Sequence, residues 1–340
     1  MGRVTVHDLA AEAGVSLATV DRVLNGRPGV RQKTIERVEA ARARLDYRRD
    51  VAAANLAKKR RYPICVILPE GDNPFMHALE DEVKAFQRAE PRVDAAIVKV
   101  PAFDGEHLAA TLNSIRPGDV IGVICVATEA PRVRVAMDDL VGRGVQVVTL
   151  VSDIPSAKRL HYAGIDNIAA GRTAGTLLGR FLAETPGKVA LIAGSMQLRD
   201  HVERRFGFEQ ILRTGYPHLE MLPLIEGRDD GVIVAEKLRP VLSENPDLVG
   251  IYTMAGGSEG IIVALQEAGC AKDVVVIAHD LTEHARHALL DGTFDAVINQ
   301  DPGHEIRSAI RVLKAHADGI PIIPGQERIR IDIFMRDNLP

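Results

Sequence analysis

The side chains able to do chemistry fall into three groups. The first is catalytic in type: His279, Asp280, His284 and His287 have metal-like spacing, Ser195 is a hydroxyl in a polar stretch, and Asp138-Asp139 and Asp229-Asp230 are paired acids. Each lacks its usual support. The histidines have no cysteine or acidic motif to complete a zinc shell, Ser195 has no His-Asp partner in local sequence, and the acid pairs read as helix-surface or helix-start residues. Neither G-x-G-x-x-G after a strand nor G-x-x-x-x-G-K-[ST] occurs, which argues against dinucleotide and P-loop nucleotide sites. No metal, cofactor or enzymatic activity is expected. The second group consists of polar residues directly after apolar runs: Asp72-Asn73-Pro74-Phe75, Ser152-Asp153, the stretch 194–204, Ala255-Gly256-Gly257, His279-Asp280 and Gln300-Asp301. The third is Leu17, Ala18, Asp21 and Arg22, in a basic N-terminal segment.

Charge separates that segment from the rest. Residues 1–61 carry 14 Lys and Arg against 7 acids, whereas 62–340 carry 28 against 39. A basic head on an acidic body suits nucleic acid, because phosphate neutralisation supplies most non-specific affinity. In the head, Thr5 can cap a helix with Val6, Leu9, Ala10 and Ala13 on one stripe, and Gly14 ends it. Ser16 can cap a second helix from 17 to about 24, which Asn25-Gly26 ends. Val20 and Val23 then face the core with Leu9 and Ala13, leaving Leu17, Ala18, Asp21 and Arg22 outside. A third helix after Pro28 closes the core with Ile35, Val38, Ala41 and Leu45. Two short helices joined by a Gly turn form a helix-turn-helix, whose second helix enters the major groove.

The body alternates apolar runs with amphipathic stretches. Strands are expected at 64–68, 95–100, 120–126, 145–151, 161–165, 188–193, 221–225, 248–254, 274–278 and 296–299. Such interleaving builds parallel sheets covered on both faces. Two doubly wound units are expected, with the chain crossing between them near 164–167, near 292–295 and near 321–325. Ligands of these sheets bind beyond the carboxyl ends of strands, where the second group of polar residues lies. Cys65, Cys125 and Cys270 are odd in number and sit within or beside apolar segments, as reduced core thiols do. No run of 18 apolar residues occurs, and charged residues stand where a secretory signal would be apolar, so a cytoplasmic protein without a membrane partner is expected.

The string VTVHDLAAEAGVSLATVDRVLNGRPGV, continued by RLDYRRDVAAANLAKK, closely resembles the DNA-binding head and hinge of the LacI/GalR family of bacterial transcription regulators. The likeness runs on through the body. It implies a small all-α helix-turn-helix head plus an α/β body of two doubly wound parallel-sheet lobes, resembling periplasmic sugar-binding proteins. The implied limits are 1–48 for the head, 49–61 for a hinge helix and 62–340 for the body, with one lobe from 62–163 and 296–322 and the other from 164–295 and 323–340.

By the same resemblance, Leu17, Ala18 and Arg22 read bases, while Thr5, Ser16, Thr19, Asn25 and Tyr47 contact phosphates. Asp21 replaces a small hydroxyl residue. Arg31 stands where a serine commonly caps the third helix, and its charge would offset Asp21 at the DNA. Asn55 and Leu56 belong to the hinge, where Leu56 from each of two subunits would wedge into a minor-groove step. Asn73, Phe75, Ser152 or Asp153, Arg199 or Arg204, Asp280 and Gln300 fall at effector contacts. Gly256-Gly257 occupies a place where many relatives have Asn-Asp. The implied partners are a near-palindromic double-stranded operator, a sugar, polyol or sugar-acid effector, and a second copy of the chain in a homodimer or tetramer. Two alternatives remain. A purine- or nucleoside-responsive regulator would call for stacking aromatics, yet aromatic content is 4% with no Trp. A solute-binding protein would have no use for residues 1–61.

Overall fold

The computed structural model describes residues 4–24, 26–47 and 60–340. It divides into two compact units, Met1–Arg60 and Arg61–Pro340. In the head, α1 (Val6–Ala13) starts from a reciprocal cap: Thr5 Oγ1 accepts from the Asp8 N–H and the Asp8 carboxylate accepts from the Thr5 N–H. Gly14 ends α1 at φ 61°, a left-handed cap where the Arg37 guanidinium leaves no room for a Cβ. The Ser16 hydroxyl accepts from the Thr19 N–H at the start of α2 (Leu17–Leu24). α3 (Gln32–Arg44) begins at Arg31 without a side-chain cap. Arg37 of α3 donates to the carbonyls of Ala13 and Gly14, tying α3 to the α1–α2 turn. Leu9, Ala13, Val20, Val38, Ala41 and Tyr47 form the core.

The body holds two sheets. The first contains β1 (Tyr62–Pro69), β2 (Val93–Val100), β3 (Gly122–Cys125), β4 (Gln146–Leu150) and β5 (His161–Ala163), all parallel in the order β2-β1-β3-β4-β5. Its helices are α4 (Pro74–Ala89), α5 (Gly105–Ser114) and α6 (Pro131–Gly142). From Ile64 to Leu68 every residue of β1 is buried, as expected of a strand covered on both faces.

The second sheet contains β6 (Gly187–Ala193), β7 (Leu219–Met221), β8 (Ile225–Glu226), β9 (Leu248–Thr253), β10 (Val275–His279), β11 (Ala296–Asn299) and β12 (Asp332–Phe334). Its order is β12-β11-β10-β9-β6-β7, with β8 also on β6. Only β12 runs antiparallel to its neighbour. It is served by α7 (Asn167–Leu182), α8 (Arg199–Gly215), α9 (Gly231–Glu244), α10 (Ser258–Ala268) and α11 (Glu283–Asp291). α7 and α8 approach so closely that a Cβ on Gly171 would lie 1.9 Å from the Arg204 carbonyl oxygen.

Three expectations need correction here. The segment 296–299 does not belong to the first lobe, because β11 pairs with β10 and β12 of the second sheet. The chain therefore crosses at Gln300-Asp301, not at 292–295, where Gly292 caps α11. α12 (Pro302–Asp318) then packs Ile306, Ala309, Ile310 and Leu313 into the core of the first sheet. α13 (Pro324–Glu327) is tied to α12 by bonds from Ser308 and Arg311 to Glu327, and the last crossing follows it. The strand expected at 221–225 is two strands, β7 and β8, with Leu222-Pro223-Leu224 between them. β12 was not expected at all.

Cys65 and Cys125 are buried and Cys270 is half-buried, all as free thiols. Burial pushes the Cys125 thiol up to about 12. Among the described residues, no helix is long and apolar enough to cross a membrane.

Candidate functional site

The loops after β1, β2, β4, β8, β9, β10 and β11, together with α8, converge on a cavity of about 640 Å³ between the two sheets of the body. Of the eight residues expected to contact an effector, Asn73, Phe75, Ser152, Arg204, Asp280 and Gln300 line it. Asn73 caps α4 through the Phe75 N–H and donates to Asp229 Oδ2 at 2.9 Å, joining the two lobes. Arg228 reaches across as well, with its guanidinium 5.7 Å from the centre of the Phe103 ring. Ser152 is buried, and its hydroxyl accepts from the Arg199 N–H.

Asp153 and Arg199 are the two that do not reach the cavity. Asp153, beyond the end of β4, instead accepts from Thr149 Oγ1 and Arg159 Nη2, each at 2.6 Å. Arg199 and Arg204 are five residues apart on α8, so at about 100° per residue they point in widely different directions. Arg199 pairs with Glu203 and Glu129 instead.

Arg204 is the centre of the floor. It is 1% exposed, donates Nε to Asn167 Oδ1 and Nη1 to the Met254 carbonyl, and holds Nη2 4.0 Å from Asp200. Gln300 donates to Asp280 Oδ1 at 3.2 Å. Burial pushes Asp280 up to about 6, opposed by the Arg204 charge and the Gln300 bond, with Asp200 and Asp229 adding to the rise. Glu305, in the first turn of α12, is buried without a hydrogen-bond partner on either oxygen, and burial holds it well above the usual carboxylate range. His279 is kept neutral by burial and by the Arg204 charge, with Nε2 2.9 Å from the Tyr252 hydroxyl. His284 and His287 are exposed on α11, so the four-residue metal arrangement does not assemble.

Sequence reasoning missed Phe103, Asp200, Arg228 and Asp229. Asp230 is the helix-start acid expected, capping α9, but Asp229 faces the cavity and accepts from the Gly256 N–H. A Cβ on Gly256 would come within 3.1 Å of Asn73 and of Asp229. Glycine at the Asn-Asp place thus makes room for an aspartate from another loop. The cavity lining also collects non-glycine residues with positive φ: Phe103, Val151, Arg228, Asp229 and Asp280. Gly256-Gly257-Ser258-Glu259-Gly260 also has the G-x-S-x-G spacing of a nucleophile elbow, which the sequence reading overlooked. Ser258 is buried, and the buried histidines His279 and His201 are engaged by the Tyr252 hydroxyl and by the Ser195 backbone.

In the head, Leu17 is 41% exposed, and Ala18 and Arg22 are exposed beside it. Thr5, Ser16 and Arg31 are exposed and Thr19 is half-buried. Tyr47 is packed into the core. Asp21 is paired with Arg27 at 3.2 Å within the head. Asn25, Asn55 and Leu56 lie outside the described residues.

Residues 5–50 match the family model for bacterial regulatory proteins of the lacI family, and residues 64–321 match the periplasmic binding protein domain. The chain belongs to the lacI family of regulators. This lacI-family member is 28% identical to a catabolite control protein A of Priestia megaterium over 293 residues, 82% of this chain and 83% of that protein. It is 27% identical to the catabolite control protein A of Streptococcus mutans over 199 residues, 57% and 55% of the two chains. The fold is shared with GanP, a glucose-galactose binding protein from Geobacillus stearothermophilus, at a TM-score of 0.74 and 24% identity over 83% of this chain and 99% of that one. A solute binding protein from Burkholderia graminis in complex with D-arabinose gives 0.74 and 24% over 82% and 97%. A putative LacI transcriptional regulator from Bacteroides fragilis gives 0.70 and 20% over 82% and 98%.

Proposed function

We propose that this regulator is a cytoplasmic repressor, a homodimer or tetramer on a near-palindromic operator, whose DNA affinity is set by a sugar or polyol seated between the two lobes. The observation that carries the reading is a set of orphaned polar atoms on the cavity floor. Arg204 Nη2, Asp200 Oδ1 and Gln300 Oε1 are buried without a hydrogen-bond partner. Leaving such a group unpaired costs about 1–3 kcal/mol. A polyhydroxylated ligand offers donors and acceptors together, and the flat apolar side of a sugar ring suits Phe75 and Phe103. Two structural neighbours are named for sugars, glucose-galactose and D-arabinose.

In the head, Leu17, Ala18 and Arg22 present an apolar pair and a bidentate donor, a set that reads thymine methyls and guanine. Coupling follows from linkage. Asn73–Asp229 and Arg228–Phe103 join the lobes, so a ligand that changes these contacts changes the lobe arrangement and, through it, the operator affinity by the same coupling free energy.

The test is a thermal-shift screen of the full chain against sugars, polyols and nucleobases, followed by operator binding with each hit. At a hundredfold excess over its dissociation constant a true ligand adds about 2.7 kcal/mol of stability. A sugar hit that also alters operator affinity supports the reading. A hit that leaves operator affinity unchanged refutes regulation through this cleft, and a purine hit to the exclusion of sugars transfers the effector class to bases. For the hinge, Leu56→Ala is expected to weaken specific binding far more than non-specific binding; equal losses would remove the wedge role.

A further inference from the structure

We propose that the effector is a polyhydroxylated molecule bearing a positive charge, an amino sugar or amino-polyol, recognised by Asp200 and Asp280 around the single guanidinium of Arg204. The inference rests on the effector cleft described above and concerns the charge of what it holds.

Among the described residues, nine carboxylates line the cavity against three arginines and one histidine. Two of the three arginines spend hydrogen bonds on protein groups. Arg239 forks onto Glu267, outside the cavity, with bonds of 2.6 and 3.1 Å. Arg228 is spread over the Phe103 ring. Arg204 spends two of its nitrogens on Asn167 and Met254 and keeps one free donor, Nη2. An anionic ligand would find that donor and the exposed guanidinium of Arg228 outnumbered by nine carboxylates, a poor match for a sugar acid or a sugar phosphate.

The acceptor side is unfilled. Asp200 is 3% exposed and Gln300 is 1% exposed, yet Asp200 Oδ1 and Gln300 Oε1 have no partner. Asp280 receives only the Gln300 amide, at 3.2 Å. Hydroxyls can fill these acceptors, but they cannot balance the charge. Asp200, Asp229 and Glu305 all crowd Asp280, and among the described residues Arg204 is the guanidinium that offsets them, with the His201 imidazole 3.6 Å from Asp200. Burial with incomplete compensation is what raises Asp280 to about 6. An ammonium group entering here would donate three hydrogen bonds and supply the missing charge in a low-dielectric site, where truncating one partner of such a pair is costly. Asp229, by contrast, is occupied by Asn73 and Gly256 and serves the lobe contact.

The experiment is calorimetric titration of the full-length protein with matched pairs at neutral pH: glucosamine and glucose, galactosamine and galactose, mannosamine and mannose, an inosamine and its inositol, with gluconate and galacturonate as anionic members. One amino member is expected to bind at least tenfold tighter than its hydroxyl parent, and the anionic members not at all. Asp280→Asn and Asp200→Asn, each checked for native circular dichroism and operator binding, are expected to reduce that preference several-fold. A neutral parent that binds as tightly as its amine, or an anionic member that binds tightest, overturns the charge assignment and leaves the sugar effector standing. Absence of binding by every member, with operator binding intact, overturns the sugar effector itself.

Discussion

Asp280→Asn is expected to stabilise the ligand-free protein at neutral pH and to leave it unchanged near pH 4. The carboxyl is displaced upward, from an ordinary value of 3.8 to about 6. Its neutral form is therefore the one the fold prefers. A raised acid contributes its full stability below the ordinary value and loses it as the pH rises through the folded value. At about 1.4 kcal/mol for each tenfold change in proton affinity, ionising Asp280 in the fold costs roughly 3 kcal/mol by pH 7. Asparagine keeps the shape and the acceptor facing Gln300 without the charge, so the variant's advantage should grow from near zero at pH 4 to about 3 kcal/mol at pH 7 and above. At about 2–4 °C per kcal/mol for a body of this size, the midpoint should rise by several degrees at pH 7.5. Urea unfolding of both proteins from pH 4 to 8 measures the difference directly. A variant that is equally stable or less stable at pH 7.5 would show that Arg204 and Gln300 fully compensate the charge, and the argument for a cationic effector would lose its electrostatic support.

Arg204→Met leaves Asp200 buried without its cation, and a loss of about 3–5 kcal/mol is expected in denaturant unfolding, together with loss of effector binding. Gly171→Ala places a methyl 1.9 Å from the Arg204 carbonyl oxygen, forcing α7 and α8 apart. It should cost about 1–3 kcal/mol by the same unfolding assay and weaken effector binding through the displaced guanidinium. Arg22→Ala should weaken operator binding by about 1–3 kcal/mol and relax preference at one base pair, read by binding to operators substituted position by position. An equal loss on all sequences would make Arg22 a phosphate contact.

The head was legible from sequence because everything that builds it is local. Caps at Thr5 and Ser16, the stop at Gly14 and the stripe Leu9, Ala13, Val20 act within a few turns of chain. The strands of the body were legible for a related reason: a parallel strand buried on both faces reads as an unbroken apolar run, and its carboxyl end places the next polar residues at the cleft. That logic reached the segments that hold Asn73, Phe75, Ser152, Arg204, Asp280 and Gln300, and the family resemblance singled out residues within them. It could not choose between Arg199 and Arg204, because both lie on one helix and only its packing against α7 decides which face looks into the cavity. Nor could it find β12, whose three residues pair with β11. Asp229 meets Asn73 across 156 residues of sequence, and the lobe membership of 296–299 depends on a pairing with β10. Amino-acid order alone thus determined most of the elements and the strand-end segments that line part of the cleft. Tertiary structure alone decided which charges share one buried volume, because that balance is a sum over loops brought together by long-range strand pairing.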